Sequence, residues 1–259
     1  MAGVVYAEIK IEMFSPPVFD IQPKKNSTFV KSFYTMFLNK GWEWPEIEYL
    51  FFLIMKVLVV LFDNFETLDV FGAVEILGRL SEYFEIDYYS LEGGIKHSTQ
   101  KVSILTKKLD AINEKPDILL IPGGKGTRTE IDNKELIGQI RHLSNQSKYV
   151  LTVCTGSVLL AKTKLLDGKI ATSNKRAFDW VMSSRKEVKW KRKARWTVNG
   201  KYYTSSGISA GMDMTLGFVN DILGSDTSTR IAREMEYEWN SDPENDNFAQ
   251  PNKIVRAAD

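Results

Sequence analysis

Cys154 is the only cysteine in the chain, and its neighbours are those of a deliberately placed nucleophile. The run Lys148-Tyr-Val-Leu-Thr-Val153 before it alternates and is β-branched, as a strand is. Thr155-Gly156-Ser157-Val158-Leu159-Leu160-Ala161 after it opens an apolar helix with small residues. A strand turning sharply into a helix leaves the turn residue exposed above the sheet, as for the serine of a G-x-S-x-G elbow. It also aims that residue at unpaired helix amides, which favour a thiolate. The competing account is a buried, inert, small apolar residue, the common fate of a lone thiol.

Two further groups fit reactive chemistry. Gly123-Gly124-Lys125-Gly126 follows a strand but lacks both the Gly-Lys-Ser/Thr spacing of a phosphate loop and a G-x-G-x-x-G run. Its glycines suit a tight turn, and the Gly124 amide with that of Thr155 would make a two-donor oxyanion hole. A plain strand-to-helix turn explains the same residues. The loop after the first strand offers Asp63, Glu66 and Asp69. Asp69 falls in the first turn of a helix, where the macrodipole alone favours a carboxylate. An acid held beside a thiol and away from water would have its pKa raised, ready to donate a proton to sulfur.

Composition narrows the field. The 259 residues suffice for one large α/β domain or two small ones with a proper core, and 43% hydrophobic with 26% charged residues is ordinary for a soluble globular protein. A formal net charge of +1 supplies no field to steer nucleic acid or a membrane surface. One cysteine excludes a disulfide framework and a cysteine-rich zinc site, so a reducing, cytoplasmic setting is expected. His97 and His142 stand in unrelated segments and read as solvated surface residues; no metal and no cofactor is expected. The apolar stretch Tyr49 to Phe62 is broken by Lys56 and too short to span a bilayer.

The elements that would position these groups begin near Met55. Residues 1–54 carry Pro16-Pro17, Trp44-Pro45 and no sustained period, so they read as an extension, either poorly ordered or upstream of the true initiator Met55. Lys56 to Phe62 is a continuous apolar strand of the kind covered on both faces. Thr67 is expected to cap a helix carrying Val70, Val74, Leu77 and Leu80. Strands follow at 84–88, 116–121, 148–153 and 169–172, a helix at 134–146, and a hairpin across Asn199-Gly200. Helices at 209–223 and 227–238 complete a domain over 55–248, before a tail over 249–259. The basic run Arg185 to Trp196 reads as an edge strand with Val188, Trp190, Arg192, Ala194 and Trp196 on one side. Lys189, Lys191, Lys193 and Arg195 face solvent on the other, so nucleic acid is not its expected partner. Alternating βα units with buried strands predict an α/β helix–sheet–helix sandwich around a mostly parallel sheet. Ligands of such sheets bind beyond the strands' carboxyl ends, where the loops after Phe62 and Ile121 and Cys154 itself lie.

Four ordered motifs, Lys56–Phe62 with Leu68-Asp69-Val70-Phe71-Gly72, Asp117–Arg128, Val153-Cys154-Thr155-Gly156-Ser157 and Thr204–Asp213, resemble the ThiJ/PfpI superfamily, whose fold is that of class I glutamine amidotransferases. Leu68-Asp69-Val70 together with Val153-Cys154-Thr155-Gly156 is most similar to its isonitrile hydratase branch. The resemblance runs from Lys56 to about Phe248. It implies a flavodoxin-like homodimer with Cys154 on the nucleophile elbow, Asp69 against it and Thr155 implicated in activity. Gly123 and Gly124 would supply backbone donors, and Arg128, Asn174 and Ser209 would line the pocket. Many relatives carry a histidine where Ala171-Thr-Ser-Asn174 places asparagine; Asn174 accepts no proton at neutral pH, which argues against a Cys-His triad. The resemblance thus implies a hydratase converting a small-molecule isonitrile to an N-substituted formamide. The alternatives are a cysteine enzyme acting on small carbonyl compounds, and a non-catalytic redox-sensing or ligand-binding module.

Overall fold

A computed structural model describes residues 54–249. Residues 1–53 and 250–259, on which the extension and tail expectations rest, lie outside the described residues. Strand β1 (Met55–Val60) runs through the middle of the sheet, and its last four residues are buried, as an all-apolar strand requires. It pairs in parallel with β2 (Phe84–Ser90) on one side and β5 (Ile118–Ile121) on the other, with Val57 opposite both Ile86 and Ile118. Beyond β5 come β6 (Tyr149–Thr152) and β10 (Tyr202–Ser205), also parallel, with Leu151 opposite Tyr203.

The edges reverse direction. A hairpin of β3 (Gly94–His97) and β4 (Ser103–Lys108) finishes one side, and β9 (Trp196–Asn199) lies antiparallel to β10 on the other. The eight-stranded order is β3-β4-β2-β1-β5-β6-β10-β9. The β9–β10 turn occupies Gly200-Lys201, with Gly200 at φ 60°, where a side chain would be strained. The β3–β4 hairpin is absent from the sequence expectations, because Ile95 and Leu105 point outward and leave no inward alternation to read.

Helix α1 (Thr67–Gly78) buries Val70, Ala73, Ile76 and Leu77 and packs against α6 (Ser209–Leu223), which in turn holds α7 (Ser225–Glu234). A second group joins the four-residue α2 (Thr127–Glu130), α3 (Lys134–Gln146), α4 (Gly156–Lys162) and α5 (Phe178–Ser184). This is the expected helix–sheet–helix sandwich with a mostly parallel sheet. α3 spans the predicted residues, capped by Asn133, whose side chain accepts from the Leu136 amide at 3.1 Å. Two helix expectations change. Glu66, not Thr67, is the N-cap of α1, and the Thr67 hydroxyl bonds Ser98 and Gln100 instead. The last helix begins at Ser225 and ends at Glu234.

The basic run is no continuous edge strand. Only Lys189–Trp190 (β8) pairs, in a small ribbon with β7 (Ile170–Ala171), before the chain turns into β9. Arg195, placed on the solvated side by alternation, is buried and ion-paired with Asp213. Alternation failed there because the turn after Trp190 resets the phase and a buried carboxylate draws the guanidinium inward.

Candidate active site

Cys154 stands at the end of β6 with φ 58°, a left-handed conformation rare for a residue with a side chain. Its backbone is held from three directions, which is what maintains such a conformation. The Cys154 amide donates to the Ser206 carbonyl at 3.1 Å, while its carbonyl accepts from Ser157 Oγ at 3.1 Å and Ser173 Oγ at 2.9 Å. Gly156 permits the turn: a Cβ there would lie 2.3 Å from the Ile121 carbonyl oxygen.

Asp69 and Cys154 are brought together from α1 and β6. The Asp69 carboxyl is 1% exposed, and its Oδ2 accepts from the Gly123 amide at 2.9 Å. Oδ1 has no well-formed hydrogen bond; the Cys154 thiol and the Ile208 amide stand against the carboxyl as its polar neighbours. Burial, with some help from Glu66, raises the Asp69 pKa to about 7, against the pull of these donors. Ile208, a β-branched residue at φ 46° and ψ −92°, is strained where its amide meets the acid.

The thiol is displaced the other way from the sequence expectation. Burial, and then the Asp69 charge, push Cys154 well above an ordinary thiol, outweighing the Thr155 amide, the Asn174 side chain and the Thr155 hydroxyl that pull it down. Helix amides were expected to hold a thiolate, but a residue 7% exposed beside a carboxylate loses more from desolvation than those donors return. The resting pair is therefore a neutral thiol facing a carboxyl poised near neutrality, and the two titrate together.

The glycine loop serves the side chains and not an oxyanion hole. Gly123 donates to Asp69, and the Gly124 amide donates to Thr155 Oγ1 at 3.1 Å, so neither amide is free for a substrate oxygen. Close approach excludes a side chain here: a Cβ on Gly123 would sit 2.5 Å from the Thr155 nitrogen and 2.9 Å from Asp69 Oδ2. Thr155 Oγ1 also stands 3.0 Å from Thr127 Oγ1, which leaves its own proton for the sulfur or, at 3.3 Å, for the Gly124 carbonyl. Asn174 Oδ1 accepts from the Ala177 amide at 3.1 Å, which turns the Nδ2 donor toward Cys154. Donors for charge on sulfur thus come from Thr155 and Asn174.

Of the remaining pocket candidates, Arg128 lies close enough to interact electrostatically with Cys154 and stacks on Trp180, 3.8 Å from the ring centroid. Ser209 is turned away, its hydroxyl 3.4 Å from the Arg195 guanidinium. Asp63 and Glu66 are occupied at the rim: Asp63 accepts from the His97 amide at 2.9 Å, and Glu66 from Gln100 Nε2 at 2.7 Å. Among the described residues, no cluster of three His, Cys, Asp or Glu is placed to hold a metal ion.

The sequence reading missed a buried ionic cluster behind the site. Arg195 pairs with Asp213 on α6 and lies 3.9 Å from Asp246; Lys175, next to Asn174, lies 3.8 Å from the other oxygen of Asp246. Tyr237 and the Asn240 amide each donate to Asp213 Oδ1 at 3.0 Å, so the segment after α7 is tied to α6. Desolvation brings Lys175 down to about 8, with Asp246 opposing it. Charged residues scattered between 175 and 246 gave no periodic signal of this meeting.

A parallel sheet carrying a strained cysteine elbow, with a buried acid supplied by the first helix, defines a protein of the ThiJ/PfpI class. The DJ-1/PfpI family profile matches residues 55–221, and the chain belongs to that family. It is 26% identical over 185 residues to an isonitrile hydratase of Pseudomonas putida, covering 71% of this chain and 78% of the relative. It is 24% identical over 180 residues to the HTH-type transcriptional regulator CdhR of Pseudomonas aeruginosa, of which it spans 53%. Among solved structures, a ThiJ/PfpI family protein from Pseudomonas syringae superposes with a TM-score of 0.66 at 21% identity, covering 75% of this chain and 80% of that one. Drosophila melanogaster DJ-1beta does so with a TM-score of 0.64 at 19% identity, over 72% of this chain and 100% of that one. The family thus includes both an enzyme and regulators.

Proposed function

We propose that this protein is a cysteine-dependent lyase of the isonitrile hydratase type, adding water to R–N≡C to give an N-substituted formamide. The observation that carries this reading is the buried Asp69 carboxyl against the Cys154 thiol, two groups holding one mobile proton near neutral pH. An isonitrile carbon must accept both a nucleophile and a proton, and this pair supplies both to one atom. Similarity to the Pseudomonas putida isonitrile hydratase supports the choice of substrate class.

With Asp69 ionised and Cys154 protonated, sulfur adds to the terminal isonitrile carbon as the thiol proton passes to Asp69. The carboxyl delivers that proton to the same carbon, giving the thioimidate R–N=CH–S–Cys154. Water then adds across the C=N bond: Asp69 takes a proton from the water and nitrogen gains it, leaving R–NH–CH(OH)–S–Cys154. Cleavage of the C–S bond releases R–NH–CHO, and the hydroxyl proton returns through Asp69 to sulfur. The Thr155 amide and the Asn174 amide group stabilise charge on sulfur in both transfers. Asn174 replaces no base, because Asp69 does that work.

Incubating the purified protein with a panel of small isonitriles tests the reading directly. N-substituted formamides that disappear in Cys154→Ser support it. Turnover of methylglyoxal with all isonitriles untouched would replace it with the small-carbonyl alternative.

The protein acts as a homodimer in this reading. Leu68 and Phe71 are 52% and 37% exposed on the outer side of α1, beside Met212, an apolar face that a second copy would cover. Its unpaired thiol suits the reducing cytoplasm.

A further inference from the structure

Arg128 and Trp180 meet from two different helices. Arg128 lies on α2, which begins three residues after the Gly124 loop, and Trp180 lies on α5, six residues after Asn174. The guanidinium sits over the indole at 3.8 Å from the ring centroid. Stacking fixes the plane of the guanidinium and leaves its N–H edge open, the geometry that binds a carboxylate through two parallel hydrogen bonds. Among the described residues Arg128 has no acidic partner, as is also true of Arg141, Arg176 and Arg233; what sets it apart is the indole beneath it and its nearness to Cys154. It is exposed at the surface yet near enough to Cys154 for a charge on that sulfur to be felt at the guanidinium.

We infer that Arg128, held by Trp180, is a specificity-determining residue that selects substrates bearing a carboxylate beside the reacting group. Combined with the hydratase reading, on which this substrate class rests, the preferred substrate is an isocyano carboxylate and not a purely apolar isonitrile. Asp69 does not occupy the guanidinium: its Oδ2 accepts from the Gly123 amide, and no ion pair joins it to Arg128.

Two paired measurements test this. The first compares formamide production from isocyanoacetate with that from its ethyl ester, in wild type and Arg128→Gln. The second compares alkylation of Cys154 by iodoacetate with alkylation by iodoacetamide, and needs no turnover. In both, the acid-to-neutral rate ratio should fall at least about tenfold in Arg128→Gln, the loss of roughly one charge-assisted contact. It should fall part-way in Arg128→Lys, which keeps the charge but not the fork, and in Trp180→Leu, which keeps the fork but not its support. The advantage of wild type should shrink with added salt. Unchanged ratios in Arg128→Gln overturn the inference even if isonitriles are hydrated. A collapsed alkylation ratio in a protein that hydrates no isonitrile keeps the carboxylate site and discards the hydratase reading.

Discussion

The Asp69 carboxyl and the Cys154 thiol face each other where water is nearly excluded: the Asp69 charge makes the thiol harder to ionise, while burial, against the thiol's own hydrogen bond, makes the acid so. The acid is poised at about 7 and the thiol lies well above its ordinary value. In the proposed reaction sulfur is therefore activated during attack, by proton transfer to the neighbouring carboxylate, and not beforehand as a free thiolate.

Replacing Asp69 by Asn removes the proton carrier while keeping its shape. Formamide production should fall by about 10²–10⁴, the usual worth of a positioned acid–base group. Steady-state rates on one isonitrile decide it, and a loss smaller than about threefold would remove Asp69 from the chemistry.

The same substitution should stabilise the fold. A carboxyl raised from 3.8 to about 7 on folding binds a proton more tightly in the native state, so native stability falls as pH rises between those values. Asn carries no charge to bury, so Asp69→Asn should exceed wild type by a few kcal/mol at pH 8, at about 1.4 kcal/mol per tenfold change in proton affinity. The difference should vanish below the unfolded acid's pKa. Urea unfolding at several pH values reads the gap.

Gly123→Ala should cost activity out of proportion to stability. The added methyl falls against the Thr155 nitrogen and Asp69 Oδ2 together, so the acid and the elbow must move apart. Rates should drop about a hundredfold or more, because displacement of about 1 Å at a reacting pair costs that much. Thermal unfolding serves as the control.

Asn174→Ala removes a donor from the sulfur without touching Asp69. Thiol ionisation should move further up, so the pH profile for iodoacetamide alkylation of Cys154 shifts to higher pH. A profile that stays in place would mean the Asn174 amide does not reach the sulfur.

Asp213→Ala would leave Arg195 buried without its partner. Loss of one member of a buried pair costs about 3–5 kcal/mol, so the melting temperature should fall by many degrees. Loss of the contacts that Tyr237 and Asn240 make to Asp213 adds to the effect.

The sheet and the cysteine elbow were legible because their residues are local. Apolar runs such as Val57–Val60 and Ile118–Ile121 announce buried parallel strands, and the small residues after Cys154 announce the turn. What the thiol does there was not legible. The balance between helix amides and desolvation depends on how closely α1, the 122–126 loop and the 206–208 loop close over the sulfur, which no local pattern encodes. The Gly124 amide illustrates the same limit: its position suggested an oxyanion donor, and its partner turned out to be the Thr155 hydroxyl. Ile208 gave no warning at all, since a β-branched residue is the last expected at positive φ.

The dependence of kcat/KM on pH for formamide production tests the shared-proton mechanism most directly. Below about 7 the Asp69 carboxyl is protonated and cannot take the thiol proton, so kcat/KM should rise through that value, hold a plateau, and fall where the thiol itself ionises. The rising limb should be absent in Asp69→Asn. A wild-type profile that is flat through neutrality, or that keeps its rising limb in Asp69→Asn, would contradict it.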